Sequence, residues 1–482
     1  MPVKQCFDVI ETIGMGPAQV YVAILAYGIW LTDGVELALI TSLSASIGED
    51  FGLTKSQMAS LVSVVFLGFL AGCPLGGYLG DTFGRRPTIL GCYAAIAAFA
   101  CLSAFAQSLS GFLVVRFLLG VAMGVGQPAS LAMVNEMTPI AWRFPSMAFR
   151  GLMMSLGMCV AVLVILVDDA SLQMLNWRRA ILLSLLPTVG LFGLAFACLP
   201  ESAALLATQN RDEEAREVLS WMMRLNSKAV DMDAQAKSAP VALDVRGGLD
   251  SWLTQLRAVF GGRLGFHTCV LMLTAFSLNF VEYGTSYAEP RVLQETHANL
   301  QPAYQLLFKY LFSAMVRVAV LPLAVAWSRR TALIVALIFG CGLGPFLFAW
   351  AGTEEDRELA MAALYYSGTY LPMFGLALGF LVTYQISVDI YPAWASATGS
   401  AFVVGGGRLG SIILPFIFEG MQDAWQSFYY SMMVLCTVAA LLVASLGDID
   451  ELAEAARLDM MDSACPPQVS KRKPCLRTAA AP

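Results

Sequence analysis

The chain has 482 residues; 58% of them are hydrophobic, 13% are charged, and the mean hydropathy is +0.68. An average soluble domain is about 25% charged, and a compact soluble fold cannot bury so large an apolar fraction. These values exclude a soluble enzyme, a disordered protein and a secreted disulfide scaffold. The net charge of -6 argues against a nucleic-acid partner, which would require a basic face. The 11 cysteines show no metal-ligand spacing, so we expect neither a metal nor another cofactor.

Long apolar runs organise the chain. A membrane-spanning helix needs about 20 mostly apolar residues, and twelve such runs occur, six on each side of a polar stretch. This pattern predicts an all-α membrane protein that lies in a lipid bilayer. The predicted spans of the first set are 19–43, 57–79, 88–107, 110–134, 145–167 and 179–199. Those of the second set are 263–288, 303–326, 331–350, 360–385, 397–418 and 424–446. We expect an N-terminal segment (1–18), a first six-helix bundle (19–199), a linker (200–262), a second bundle (263–447) and a tail (448–482).

The distribution of lysine and arginine predicts the orientation of the chain in the membrane. If both chain ends are cytoplasmic, twenty of the 29 basic residues are counted on that side, Arg150 near the start of predicted span 5 among them, five on the other side and four farther inside spans. This asymmetry follows the positive-inside rule, so we expect both termini in the cytoplasm. The pattern does not distinguish the plasma membrane from an organelle membrane.

A short motif joins spans 2 and 3. It has the pattern G-x-x-x-D-x-x-G-R-R and comprises Gly77, Asp81, Gly84, Arg85 and Arg86. Glycines let helices approach closely and turn sharply, and a carboxylate beside arginines can lock one face of the protein through a charge-assisted pair. A basic loop that only sets topology does not account for this spacing, so we predict a gate. The motif resembles the signature of the major facilitator superfamily, which implies two six-helix bundles that rock about a central site.

Further patterns narrow this resemblance. The equivalent loop between spans 8 and 9 keeps two arginines but has Val325 and Ser328 at the Asp and Gly positions, which does not favour a second charge lock. Other segments resemble the sugar-porter-like group, in particular metabolite/proton and aromatic-acid/proton symporters and synaptic-vesicle-protein-related transporters. These segments are Asp33-Gly34-Val35-Glu36, Arg116-Phe117-Leu118-Leu119-Gly120, Pro200-Glu201-Ser202 and Asp389-Ile390-Tyr391-Pro392.

Ionisable residues inside spans are costly and usually functional. Asp33 and Glu36 share one face of span 1, and Arg116 lies at a similar depth in span 4. We predict that this group couples transport to protons; the alternative is a static ion pair between spans 1 and 4. Asn279 and Glu282 repeat the spacing in span 7, so Glu282 is a second candidate for proton coupling. The alternative for Glu282 is an interfacial position near the outer rim.

Two central arginines indicate the charge of a substrate. Arg317 and Arg408 fall near the middle of spans 8 and 11, and arginine binds a carboxylate with two parallel hydrogen bonds. We therefore predict that Arg317, Arg408, Asn279 and Trp30 contact an anionic substrate, with Trp30 stacking on a planar group. The alternatives are that each arginine pairs with Glu282 or Asp389, and that Trp30 faces lipid.

The resemblance implies a secondary active transporter rather than an enzyme, and no nucleotide-binding G-x-x-x-x-G-K-[ST] motif is present. We predict proton-coupled symport of a small organic anion by alternating access. One alternative is a transporter or facilitator of a sugar-like or cationic solute. Another, of a different class, is a membrane sensor or vesicle adaptor that does not transport.

Overall fold

The computed structural model describes residues 3–228, 249–295, 300–352, 359–391 and 396–447. In this part of the chain, twelve helices are long and apolar enough to cross a membrane, and the predicted all-α, twelve-span fold is confirmed. The N-half contains spans 1–6, which are the helices Pro17–Phe51, Lys55–Phe83, Arg85–Ala104, Leu109–Met137, Ile140–Asp168 and Trp177–Cys198. The C-half contains spans 7–12. Span 7 is Gly262–Glu295, span 8 is Pro302–Ala319 continued by Leu321–Ala326, and span 9 is Arg329–Val335, a π-helical turn Ala336–Leu343 and Gly344–Ala351. Spans 10, 11 and 12 are Leu359–Asp389, Ser396–Gly420 and Trp425–Ser445.

Span 1 is longer than the sequence predicts, because its polar end remains helical as far as Phe51. Gly52 ends it in the left-handed conformation with a φ of 62°, which glycine adopts without strain. Two residues later, Thr54 and Gln57 form a reciprocal capping box that begins span 2. The connection predicted at residues 44–56 is therefore only residues 52–54.

Short helices cover the end of the N-half at which the described chain begins. They are Val3–Ile13, Ala203–Thr208 and Asp212–Leu225. Asn226 follows them and caps span 1: the Ala18 amide donates to Asn226 Oδ1 at 2.9 Å, and Asn226 Nδ2 donates to Gln19 at 2.8 Å. Residues 229–248 of the predicted linker and the tail from residue 448 lie outside the described residues, so the predicted region boundaries stay predictions.

Glycines set the distances between helices inside the N-half. A Cβ at Gly120 of span 4 would lie 2.1 Å from the Val65 carbonyl oxygen of span 2. A Cβ at Gly157 of span 5 would lie 1.9 Å from the Leu31 carbonyl oxygen of span 1. Backbones this close tolerate no side chain, so small residues at these crossings hold the N-half together.

The two halves meet along four pairs of spans: 2 with 11, 5 with 8, 1 with 7, and 5 with 10. We call the face that carries helix Val3–Ile13 the terminal face and the opposite one the distal face. Hydrogen bonds and an ion pair join the halves on the distal face. They connect Arg291 Nη2 with Ser44 Oγ (3.0 Å), the Ala303 amide with the Ala170 carbonyl (3.2 Å), and Lys55 Nζ with Asp423 Oδ1 (3.2 Å).

The loop after span 5 belongs to this distal junction and is organised by Asp169. Its carboxylate accepts hydrogen bonds from the amides of Ser171, Gln173 and Met174, each at 2.9 Å, and from the Ser171 hydroxyl. Burial opposes ionisation of Asp169, but these hydrogen bonds outweigh it and lower the pKa of Asp169 to about 2. The loop is therefore held by an anion that stays ionised at neutral pH.

Candidate functional site

A cavity lies between the halves, on the terminal side of the distal junction. The N-half supplies Trp30, Arg150, Gly151 and Met154 to its wall. The C-half supplies Asn279, Glu282, Tyr283, Arg317, Phe380, Tyr384 and Arg408. The wall therefore contains every residue that the sequence predicts to bind substrate, together with the candidate carboxylate Glu282.

Asp33 lies behind this wall and is linked to it by Gln127 of span 4. Gln127 Nε2 donates to Asp33 Oδ2 at 2.6 Å, while Arg408 Nη2 donates to Gln127 Oε1 at 3.4 Å. Asp33 is fully buried, and its second oxygen, Oδ1, has no hydrogen-bond donor among the described residues. One amide thus connects a buried carboxylate of the N-half to a buried guanidinium of the C-half.

Arg408 is the cation at the C-half end of this bridge. Its Nη1 donates to the Tyr283 hydroxyl at 2.8 Å, and its guanidinium lies 4.0 Å from the centre of the Phe69 ring. The predicted alternative that Arg408 pairs with Asp389 is wrong: Asp389 Oδ2 accepts from Arg329 Nη2 at 2.7 Å instead. Arg408 therefore lies beside the cavity without a carboxylate in contact among the described residues.

Arg317 has the partner that the sequence offers as an alternative. Its Nη2 donates to Glu282 Oε1 at 2.9 Å, and its Nε donates to Ser155 Oγ at 2.8 Å. Ser155 lies on span 5, so this group also joins the two halves. Asn279, one turn before Glu282, donates to the Ala275 carbonyl oxygen within its own helix. Glu282 lies in the cavity wall, and the interfacial position considered for it is wrong.

Trp30 faces the cavity and not lipid, because its side chain packs between spans 4 and 5. Its indole Nε1 donates to Ser130 Oγ at 3.3 Å, and the Arg150 guanidinium lies 4.4 Å from the centre of its ring. Arg150 also lies 5.1 Å from the Tyr384 ring centre across the cavity. The basic-residue count places Arg150 at the cytoplasmic side. Its position inside the predicted span 145–167 is the signal that identifies it as a cavity residue.

Glu36 and Arg116 form the ion pair that the sequence proposes. Arg116 Nη1 donates to Glu36 Oε2 at 2.8 Å, and both side chains are almost completely buried. The pair joins spans 1 and 4 within the N-half and is not part of the cavity wall. Its role in proton coupling stays a prediction.

A second buried charge cluster lies nearer the distal face, where the sequence predicts the end of span 7. Glu289 pairs with Lys309, and Arg291 Nη1 donates to Glu419 Oε1 at 2.5 Å. The predicted span 7 ends at residue 288 and therefore places Arg291 in an outer loop. In the structure this helix continues to Glu295. Within the described residues, no group of three or more His, Cys, Asp or Glu side chains has a metal-binding arrangement.

The predicted gate residues lie together on the terminal face. Arg85 donates to Asp81 at 2.5 Å and to Glu136 of span 4 at 2.9 Å. Gly84 has a φ of +115°, and a Cβ there would lie 2.4 Å from Glu201 Oε2, which explains the glycine. A Cβ at Gly77 would meet no atom within 4 Å, so this conformation does not require glycine there. The gating role of the motif stays a prediction.

Glu201 and Arg86 complete the terminal end of spans 3 and 6. Glu201 Oε1 accepts from the amides of Arg85 and Arg86 at 3.0 and 3.2 Å, and Arg86 Nη2 donates to the Phe196 carbonyl oxygen at 2.9 Å. At the equivalent loop of the C-half, the Arg329–Asp389 pair provides a charge contact that Val325 and Ser328 do not predict. The carboxylate comes from the end of span 10, so the loop sequence alone does not reveal it.

Comparisons with known proteins agree with this architecture. The family model described as "Sugar (and other) transporter" matches residues 23–447. The inward-open structure of the xylose transporter XylE from E. coli has a TM-score of 0.71 and 19% identity, and the match covers 91% of this chain and 99% of that one. This likeness shows the fold.

Three curated relatives are similar over most of their length. The niacin transporter NiaP of Acinetobacter baylyi is 27% identical, over 86% of this chain and 90% of the relative. The 4-hydroxybenzoate transporter PcaK of Pseudomonas aeruginosa is 24% identical, over 92% and 96%. The synaptic vesicle 2-related protein of Xenopus laevis is 25% identical, over 90% and 79%.

Proposed function

We propose a specific transport function from one premise: the chain belongs to the sugar (and other) transporter family of the major facilitator superfamily and is a multi-pass membrane transporter of small organic solutes. The proposal is proton-coupled symport of a small aromatic carboxylate by alternating access. The observation that carries it is the Asp33–Gln127–Arg408 bridge, which links a buried carboxylate to a cavity cation through one amide.

The charge of the cavity supports an anionic substrate. Arg150, Arg317 and Arg408 lie in the wall, and only Arg317 has a carboxylate in contact among the described residues. A buried guanidinium without an anionic partner is costly, so a bound carboxylate stabilises the loaded site. The wall also contains Trp30, Tyr283, Phe380 and Tyr384, whose rings suit a planar solute.

The bridge supplies a physical route from proton binding to substrate binding. The charged form of Asp33 is costly because it is fully buried and, among the described residues, accepts a hydrogen bond only from a neutral amide. Proton binding to Asp33 removes that negative charge and leaves the Arg408 side of the cavity more positive. An incoming carboxylate restores the earlier charge, so the empty ionised carrier and the loaded protonated carrier hold the same net charge at the site. Both forms can then change conformation at similar electrostatic cost.

The names of the relatives support the same substrate class. Niacin and 4-hydroxybenzoate are named as the solutes of two bacterial relatives, and both are aromatic carboxylates. The sugar-like and cationic alternatives lack comparable support from the cavity, in which guanidiniums outnumber the carboxylates in the wall. A vesicle adaptor that does not transport would not need the charged bridge.

We further propose that the terminal face is cytoplasmic, as the lysine and arginine distribution favours. Tyr384 lies five residues before the terminal end of helix Leu359–Asp389 and forms part of the cavity wall. The distal junction is closed in this structure, so this conformation would exchange substrate with the cytoplasmic side.

Uptake into proteoliposomes with an imposed pH gradient tests the proposal. With one proton per monocarboxylate, a gradient of one pH unit is expected to drive about tenfold accumulation of nicotinate or 4-hydroxybenzoate. Asp33→Asn is expected to abolish accumulation while preserving exchange of labelled substrate across the membrane. Asp50→Asn is the matched carboxylate control, since Asp50 pairs with Arg178 outside the cavity wall, and it is expected to retain gradient-driven uptake. Accumulation by Asp33→Asn equal to that of the wild type would overturn the coupling role of Asp33. Absence of uptake of any aromatic carboxylate would overturn the substrate class.

A further inference from the structure

We propose that Arg150 is the residue that selects a carboxylate over neutral analogues of the same shape, through hydrogen bonds from a guanidinium that lies over the rings of two aromatic side chains. This inference rests on the proposed function and assigns the substrate contact to a residue that the sequence analysis places elsewhere.

The first observation is the position of the Arg150 side chain. Its guanidinium carbon lies 4.4 Å from the Trp30 ring centre and 5.1 Å from the Tyr384 ring centre. Trp30 belongs to the N-half and Tyr384 to the C-half, so the planar group is held by both halves. A cation–π contact leaves the N–H groups of a guanidinium able to donate hydrogen bonds to a ligand.

The second observation is the state of those N–H groups. No hydrogen-bond acceptor among the described residues contacts the Arg150 guanidinium, and its Nε is buried without a partner. No described carboxylate lies within ion-pair distance of it. An unsatisfied buried donor costs free energy, and a bidentate carboxylate matches the geometry of the guanidinium fork. A ligand carboxylate would therefore satisfy donors for which the described residues supply no acceptor.

The other two cavity arginines are occupied by the protein. Arg317 donates to Glu282 and to Ser155, so a substrate carboxylate would have to compete with an internal one. Arg408 donates to Tyr283 and to Gln127, which connects it to the proton site. This division of roles leaves Arg150 as the substrate anchor and Arg408 as the element that senses the charge of Asp33.

Span 5 is built to present Arg150 to the cavity. Gly151 and Met154 lie on the same cavity wall, one residue and one turn after Arg150. A Cβ at Gly151 would lie 3.0 Å from Arg317 Cδ, so the glycine makes room for the neighbouring arginine. Arg143 lies two turns earlier on the same helix and stacks on Phe7, 5.6 Å from the ring centre and outside the cavity wall. Arg143 is thus a matched stacked arginine without access to substrate.

The test compares affinity for an acid with affinity for its amide. Binding of nicotinate and nicotinamide, and of 4-hydroxybenzoate and 4-hydroxybenzamide, would be measured by calorimetry on purified full-length protein. Arg150→Gln is expected to weaken binding of the acids at least tenfold and to leave binding of the amides within about twofold. Arg150→Lys, which keeps the charge but loses the fork, is expected to weaken acid binding several-fold. Arg143→Gln is expected to leave all four affinities unchanged.

Each contrary result has a distinct meaning. Equal weakening of acid and amide by Arg150→Gln, with a thermal unfolding transition like that of the wild type, would show a general structural role and overturn the inference. Unchanged preference for the acid in both Arg150 variants would also overturn it, while leaving the proposed function intact. If Arg150→Gln does not fold, Arg150→Lys decides by the same acid-to-amide ratio. A wild-type protein that binds none of the four probes would overturn the proposed substrate class and this inference together.

Discussion

If Glu36 and Arg116 form the static ion pair that is the alternative to proton coupling, replacement of Glu36 by Gln is expected to destabilise the N-half without changing the coupling of protons to substrate. The side chains of Arg116 and Glu36 are 1% and 3% exposed, and their ion-pair distance is 2.8 Å. Removal of one partner from a buried ion pair leaves an uncompensated charge and costs about 3–5 kcal/mol. For a unit of roughly 200 residues each kcal/mol shifts the melting temperature by about 2–4 °C, which gives a decrease of about 6–20 °C.

Thermal unfolding of the purified protein in detergent would measure this decrease. The double variant Glu36→Met with Arg116→Met removes both charges while keeping side-chain length, and it is expected to recover most of the lost stability. Asp33→Asn is the functional control, since it acts on the bridge to the cavity. If Glu36→Gln melts like the wild type but changes the pH dependence of uptake, the pair is a coupling element and the static interpretation is refuted.

Two further predictions concern the scaffold of the N-half. Gly120→Ala is expected to lower the free energy of unfolding by about 1–3 kcal/mol through overpacking, because its Cβ would lie 2.1 Å from a backbone oxygen. Gly77→Ala, with nothing within 4 Å, is expected to be neutral or stabilising by up to about 1 kcal/mol, and equal melting temperatures of these two variants would contradict the packing argument. Another prediction concerns pH. Asp169 has a folded pKa of about 2, below its ordinary value of 3.8. The contribution of Asp169 to the free energy of unfolding is therefore present above pH 3.8 and is lost as the pH falls toward 2. The melting-temperature difference between Asp169→Asn and the wild type is therefore expected to be constant from pH 5 to pH 8, and a difference that varies in that range would count against the assignment.

The sequence predicts the span architecture well, because the thickness of the membrane sets the length of each apolar run and does not depend on what the helix packs against. It also identifies Asp33, Glu282 and Arg408 as charges inside the membrane, since an ionisable residue within an apolar span can be recognised whatever its partner is. The predicted proximity of Glu36 and Arg116 is likewise confirmed by a direct ion pair. In each case the argument needs only depth and residue type.

The partners of these charges follow from tertiary structure and are harder to predict. Asp389 pairs with Arg329, although sequence position offers Arg408 equally well. Gln127 is neutral, so its position inside a span does not mark it as a functional residue. It nevertheless connects the two charged groups, Asp33 and Arg408, at the centre of the molecule. The sequence counts Arg150 among the cytoplasmic charges, because orientation rules count charges near span ends without asking which way each side chain points.

Asn226 imposes an order on the biosynthesis of the N-half. Chains emerge from the ribosome N-terminus first, so span 1 enters the membrane long before its cap exists: 208 residues separate Ala18 from Asn226. Until that segment is translated, the first turn of span 1 lacks its acceptor at Ala18 and its partner at Gln19. The N-half is therefore complete only once residues 200–228 have packed against it, and these residues are translated before any span of the C-half. The order of the chain thus allows the second half to dock on a finished surface.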